Sequence, residues 1–134
     1  MTNKEALARA ITDAEMEILQ TLWEEQPLSA QQIIDRLQAD ASLSTHPRTV
    51  KTLINRLLKK GAIGFQERER KYFYYPLIAR ETFFAHKTSS FLDRFFDGEL
   101  TPMVSFFSQQ RKLDEKDLAE LKELIRKLEA DNDD

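Results

Sequence analysis

The chain has 134 residues and a mass of 15.7 kDa, enough for one compact domain with an appended interaction segment and too little for a large multidomain enzyme. With zero cysteines there can be no disulfide, thiolate metal site, iron–sulfur cluster or thiol nucleophile, and three glycines leave no phosphate-cradling loop. His46 and His86 lie far apart, so neither a histidine metal site nor any other cofactor is expected. No run approaches the ~18 apolar residues of a membrane span. The N-terminal MTNKEALARA also lacks the apolar stretch of a signal peptide, so a cytoplasmic protein with no membrane insertion is expected.

The formal charge of −3 averages segments of opposite sign. Residues 1–40 carry Lys4, Arg9 and Arg36 against eight acids, and residues 79–134 carry nine basic against thirteen acidic side chains. Between them Arg48, Lys51, Arg56, Lys59, Lys60, Arg68, Arg70 and Lys71 are offset only by Glu67 and Glu69. A basic block in an acidic chain marks a surface for an anionic partner, with nucleic acid the leading candidate.

In chain order, Thr12-Asp13-Ala14-Glu15 reads as a capping box that opens a first helix, with Ile11 and Met16 as its hydrophobic staple. Met16, Leu19, Leu22 and Trp23 continue at helical spacing until Pro27 stops the run. A second helix begins the same way, with Ser29 capping, Gln32 completing the box and Leu28 stapled to Ile33. Ala39–Thr45 is polar and small, a connection, and Pro47 suits the first turn of a third helix because its missing N–H is not needed there. Gly61 ends that helix as a left-handed cap. Val50, Leu53, Ile54, Leu57 and Leu58 form its inner stripe, and its other faces hold arginine, lysine, threonine and asparagine with no acid.

After Gly61 the periodicity changes. Ala62–Gln66 and Tyr72–Tyr75 read as two short strands rich in aromatic residues, joined by the turn Glu67-Arg68-Glu69-Arg70-Lys71. Three helices followed by a two-stranded ribbon with a basic tip is the order of a winged helix-turn-helix, which places one helix in the DNA major groove. Pro76 closes the ribbon, and residues 1–78 are assigned to this domain. Residues 79–134 read as a helical dimerisation domain, giving a mainly α chain. Its first helix carries Phe83, Phe84, Phe91, Leu92, Phe95 and Phe96 and ends at Gly98. Thr101-Pro102 opens a short helix with Met103, Val104, Phe106 and Phe107, and Asp114 caps a last helix with a Leu118, Leu121, Ile125, Leu128 seam. Phe84, Phe91, Leu92, Phe95 and that seam are the expected dimer interface.

On the third helix, Arg48 and Arg56 offer forked donors for phosphate or guanine, and the threonine methyls suit the thymine methyl group. Lys59, Lys60, Arg68, Arg70 and Lys71 suit phosphates, and Lys51 and Asn55 are assigned with them. His46 stands where Ser, Thr or Asp normally caps a helix, and it reads either as a residue near the backbone or as a further phosphate contact. A winged helix can instead be a protein–protein adaptor in a transcription complex, the basic face then docking an acidic partner. An enzyme is not expected, because no acid–base pair, nucleophile or metal constellation is visible.

Ile11-Thr12-Asp13-Ala14-Glu15-Met16-Glu17-Ile18 with Leu22-Trp23, Pro47 to Leu57 with Lys59-Lys60-Gly61, and Tyr72-Phe73-Tyr74-Tyr75-Pro76 resemble the penicillinase-repressor (BlaI/MecI-type) family. Ser90 to Gly98 and Met103-Val104 match that family's dimerisation region. The resemblance implies a homodimeric repressor on inverted TACA/TGTA elements, with base-reading positions at Arg48, Thr49, Thr52 and Arg56. It also implies relief of repression by a membrane metalloprotease sensor that cuts the dimerisation region. The family's Asn-Phe pair falls on Phe106-Phe107 here, and paired phenylalanines read equally as packed core, the preferred reading of the two. At the wing tip a common glycine is replaced by Glu69, and the lack of cysteine argues against the related copper-responsive repressors.

Overall fold

A computed structural model describes residues 3–40 and 46–133 and divides into two compact units, Met1–Ser90 and Phe91–Asp134. In the first, α1 (Asn3–Ala10), α2 (Asp13–Glu24), α3 (Ala30–Ala39) and α4 (Pro47–Lys60) precede a hairpin of β2 (Ile63–Arg68) and β3 (Lys71–Pro76). The helix expected as the third is α4. Both expected capping boxes are present: Thr12 and Glu15 at α2, Ser29 and Gln32 at α3, each bonding the other's backbone N–H.

Three features were not anticipated. The short α1 precedes Thr12 and tucks Ala8 into the core. A third strand, β1 (Leu28–Ser29), pairs antiparallel with β3 through Leu28↔Tyr74 and Ser29↔Phe73, so the sheet order is β1-β3-β2 rather than a two-stranded ribbon. The hairpin strands also run longer than expected, pairing Ile63↔Pro76 through Arg68↔Lys71 and leaving a turn of only Glu69 and Arg70. Two-residue hairpin turns of this kind need positive φ at both central positions, and Glu69 and Arg70 adopt φ 52 and 67 although neither is glycine. Gly61 does meet its demand, ending α4 at φ 78 with its N–H bonded to Leu57 and Leu58 carbonyls. Of the connection expected at Ala39–Thr45, residues 41–45 lie outside the described residues.

The core gathers Ile18, Leu19 and Leu22 of α2, Ile33, Ile34 and Leu37 of α3, and Val50, Leu53, Ile54 and Leu57 of α4, closed by Ile63 and Tyr74 from the sheet. Trp23 bonds its indole N–H to the Ile78 carbonyl at 2.9 Å and packs its ring on Phe83 and Phe84 of α5 (Arg80–Phe96). Phe83 is fully buried there, and Phe84 is half-buried with the Arg80 guanidinium 4.2 Å from its ring centroid. The phenylalanine stripe is therefore split. Its N-terminal members belong to the first unit, where Trp23 meets the half-buried Phe84 ring edge-on. The domain boundary expected after Ile78 and the division of contacts after Ser90 differ by the stretch that makes these contacts.

The second unit holds the end of α5, α6 (Leu100–Gln110) and α7 (Glu115–Asn132). Asp114 caps α7 in a box with Asp117, as expected, whereas α6 starts one residue before Thr101 and has no side-chain cap. No described residue of this unit is buried within the chain. Phe91, Phe95, Phe106, Phe107, Leu118, Ile125 and Leu128 are all exposed, and an apolar groove of about 770 Å³ opens between Phe91, Phe96, Val104, Phe106, Leu121 and Leu124. Phe106 and Phe107 are 53% and 56% exposed in the single chain.

Candidate nucleic-acid interface

Because Val50, Leu53, Ile54 and Leu57 pin one side of α4 into the core, the helical repeat forces the intervening residues outward. Arg48, Thr49, Lys51, Thr52, Asn55, Arg56 and Lys59 are all exposed, as are Arg68, Arg70 and Lys71 at the hairpin tip. Among the described residues, none of the seven cations Arg48, Lys51, Arg56, Lys59, Arg68, Arg70 and Lys71 has an ion-pair partner, in contrast to Arg36 with Glu25 and Arg126 with Glu123. Unpaired exposed cations on an acid-free helix give a surface whose attraction is left for a polyanion.

Two side chains are held in specific ways. His46 caps α4, its Nδ1 accepting the Arg48 N–H at 3.1 Å, so the ring hydrogen sits on Nε2 and remains available as a donor. Thr52 donates its hydroxyl back to the Arg48 carbonyl at 3.0 Å, which leaves its methyl as the group not engaged by the helix.

Lys60 does not belong with the others. Its ammonium turns back to the fully buried Glu15 carboxylate at 2.6 Å and to the Ala10 carbonyl at 2.6 Å, so its expected phosphate contact is corrected to an internal one. Burial pushes the Glu15 carboxyl up, but Lys60 and the Thr12 hydrogen bonds pull it down further, and the net lies below the ordinary carboxylate value. The pairing joins residues 45 positions apart and leaves no local pattern in the sequence.

No described residues form a His, Cys, Asp or Glu cluster able to hold a metal ion, and no described helix is long and apolar enough to cross a membrane. A helix with an acid-free outer face beside a cation-tipped hairpin, mounted on a three-helix core, defines a winged-helix DNA-binding protein. The defining sequence pattern of the penicillinase repressor family matches residues 11–127. The penicillinase repressor of Bacillus licheniformis is 31% identical over 115 residues, 86% of this chain and 88% of that one. The methicillin resistance regulatory protein MecI of Staphylococcus aureus is 31% identical over 118 residues, 87% of this chain and 94% of that one. A solved complex structure of hsRosR-S4 shares the fold at a TM-score of 0.51 and 15% identity, covering 95% of this chain and 96% of that one. The chain belongs to the penicillinase repressor family and is a DNA-binding transcriptional repressor rather than an enzyme.

Proposed function

We propose that the chain represses transcription in the cytoplasm as a homodimer bound to an operator of inverted TACA/TGTA elements, residues 1–78 reading DNA and residues 79–134 forming the dimer. The observation that carries this reading is the outer face of α4, where every charged side chain is basic and, Lys60 apart, free of ion pairs. Arg48, Thr49, Thr52 and Arg56 read bases; His46, Lys51, Asn55, Lys59, Arg68, Arg70 and Lys71 contact phosphates. Phe91, Leu92, Phe95, Leu118, Leu121, Ile125 and Leu128 meet the second copy, which supplies the burial that one chain does not give them.

Substitutions separate the two kinds of DNA contact. Arg48→Ala and Thr52→Ala are expected to reduce discrimination between operator and random duplex by about 1–3 kcal/mol each. Lys71→Ala should weaken all sequences alike and lower the salt slope by about one. Equal losses on operator and random DNA for the two helix variants would contradict the base-reading assignment.

A second reading concerns how repression ends. It is a cut at the Phe106-Phe107 bond by a membrane metalloprotease sensor, at residues that are exposed in the single chain, as most of the second unit is. An N-terminal fragment ending at Phe106 in drug-treated cells would support it, and a chain that stays whole while repression lifts would contradict it.

A further inference from the structure

Among the described residues, Glu15 is the only carboxylate driven fully into the core. A helix cap does not require that. A capping box needs one acceptor oxygen at its third helical position and no charge, and α3 meets that need with the neutral, exposed Gln32. Glu15 fills the same position of α2, with Oε1 accepting the Thr12 N–H at 3.0 Å and Oε2 without a hydrogen-bond partner among the described residues. Burying that charge is costly unless a cation offsets it. Lys60, the last residue of α4, does so: its ammonium reaches Oε1 at 2.6 Å and the Ala10 carbonyl at 2.6 Å.

The pair joins α2 to α4, two helices that pack on each other within the first unit. The side chains that both contribute to the core are otherwise aliphatic: Ile18, Leu19 and Leu22 from α2, Val50, Leu53, Ile54 and Leu57 from α4. Apolar burial is non-directional, so it holds α4 to the core without sharply specifying the helix's rotation about its own axis. A charge-assisted hydrogen bond is short and directional, and this one fixes the end of α4 to a capped turn of backbone. Rotating a helix by about 20° moves a side-chain end some 5 Å from its axis by about 2 Å. A forked contact to a base edge does not survive a shift of that size, whereas lysines paired with phosphates follow it on flexible stems.

We propose that Glu15 and Lys60 are positioning residues for base reading: their pairing sets the rotation of α4 on the core, and with it which side chains α4 presents to the base edges. Neither touches a base, and the inference rests on the assignment of Arg48, Thr49, Thr52 and Arg56 made above.

The test is fluorescence anisotropy of the full chain on two duplexes of equal length, one carrying a single TACA half-site and one of random sequence. A half-site engages one recognition helix, so the arrangement of the second unit does not enter. Partial unfolding lowers both affinities by a common factor and leaves their ratio unchanged, whereas a misplaced α4 lowers the ratio. Glu15→Gln with Lys60→Met keeps the capping oxygen and removes two opposite charges, leaving no uncompensated buried ion and no change in net charge. It should bind random DNA within about twofold of the natural chain, with the same salt slope, and lose about fivefold or more of the half-site preference. Lys60→Arg, which keeps the cation, should retain that preference. A double variant with the natural ratio would overturn the proposal, as would one that loses both affinities by a common factor, since its role would then lie in folding alone. A natural chain without half-site preference would overturn the base-reading assignment, and this inference with it.

Discussion

The two units are built from similar apolar material and use it in opposite ways. In the first, leucines and isoleucines of three helices are driven to near-zero exposure around Ile18, Ile34 and Leu57, and the sheet and Phe83 seal the remaining sides. In the second, the end of α5, α6 and α7 carry phenylalanines and leucines at helical spacing, yet none is buried within the chain. The difference teaches that hydrophobic periodicity announces a buried face without saying what buries it. For the first unit the answer is the chain itself, and for the second it is, we propose, another copy.

The largest expected effect comes from breaking the second unit's side of that contrast. Phe95→Asp with Ile125→Asp should abolish the dimer and weaken operator binding by about 10²–10⁴-fold, because the two half-sites would no longer be linked. The melting of the first unit, followed by Trp23 fluorescence, should stay where it was. A variant that remains dimeric would place the interface elsewhere.

Leu57→Ala attacks the other side. It opens a cavity at a fully buried position of α4 and should cost about 2–5 kcal/mol at any protein concentration. Leu118→Ala, at a half-exposed position of α7, should cost stability only at concentrations where the dimer forms. Denaturant titrations at two protein concentrations distinguish the cases.

Acid sharpens the contrast within the first unit. Since the folded-state pKa of Glu15 lies below its unfolded value, its stabilisation is present above the ordinary carboxylate value and is lost as pH falls through the lowered one. Glu15→Gln should be less stable at neutral pH and should lose that part of the acid dependence. An identical acid branch in both proteins, measured by urea unfolding, would assign it to other carboxylates.

The smallest effect lies at the hairpin tip. Arg70 holds φ 67 at a position glycine fills without steric cost, so Arg70→Gly should stabilise the fold by up to about 1 kcal/mol while weakening DNA binding through the lost charge. A lower melting temperature would show that the Arg70 side chain makes a stabilising contact.

What was legible in the sequence was local. The capping boxes at Thr12 and Ser29, the Asp114 cap, the left-handed Gly61 and the inner stripe of α4 each depend on residues within a few positions, and all appear in the fold. The missed elements depend on distant partners. Leu28–Ser29 is a strand only because β3 pairs with it, and α1 is a short segment whose one buried residue is Ala8. Periodicity could not separate Phe84 from Phe91, since both lie on one helix and their surroundings, Trp23 and Arg80 for Phe84, Phe95 and Phe96 for Phe91, are set by the fold. Lys60 looks like its neighbour Lys59 in the sequence, and the buried Glu15 with the Ala10 carbonyl turns it inward.

Sedimentation velocity of the full chain at micromolar concentration tests the contrast most directly. The account predicts a single species of twice the 15.7 kDa chain mass, converted to the 15.7 kDa species by Phe95→Asp with Ile125→Asp. A natural chain that sediments as a monomer would contradict it, since its second unit would then keep its apolar faces in water without a partner.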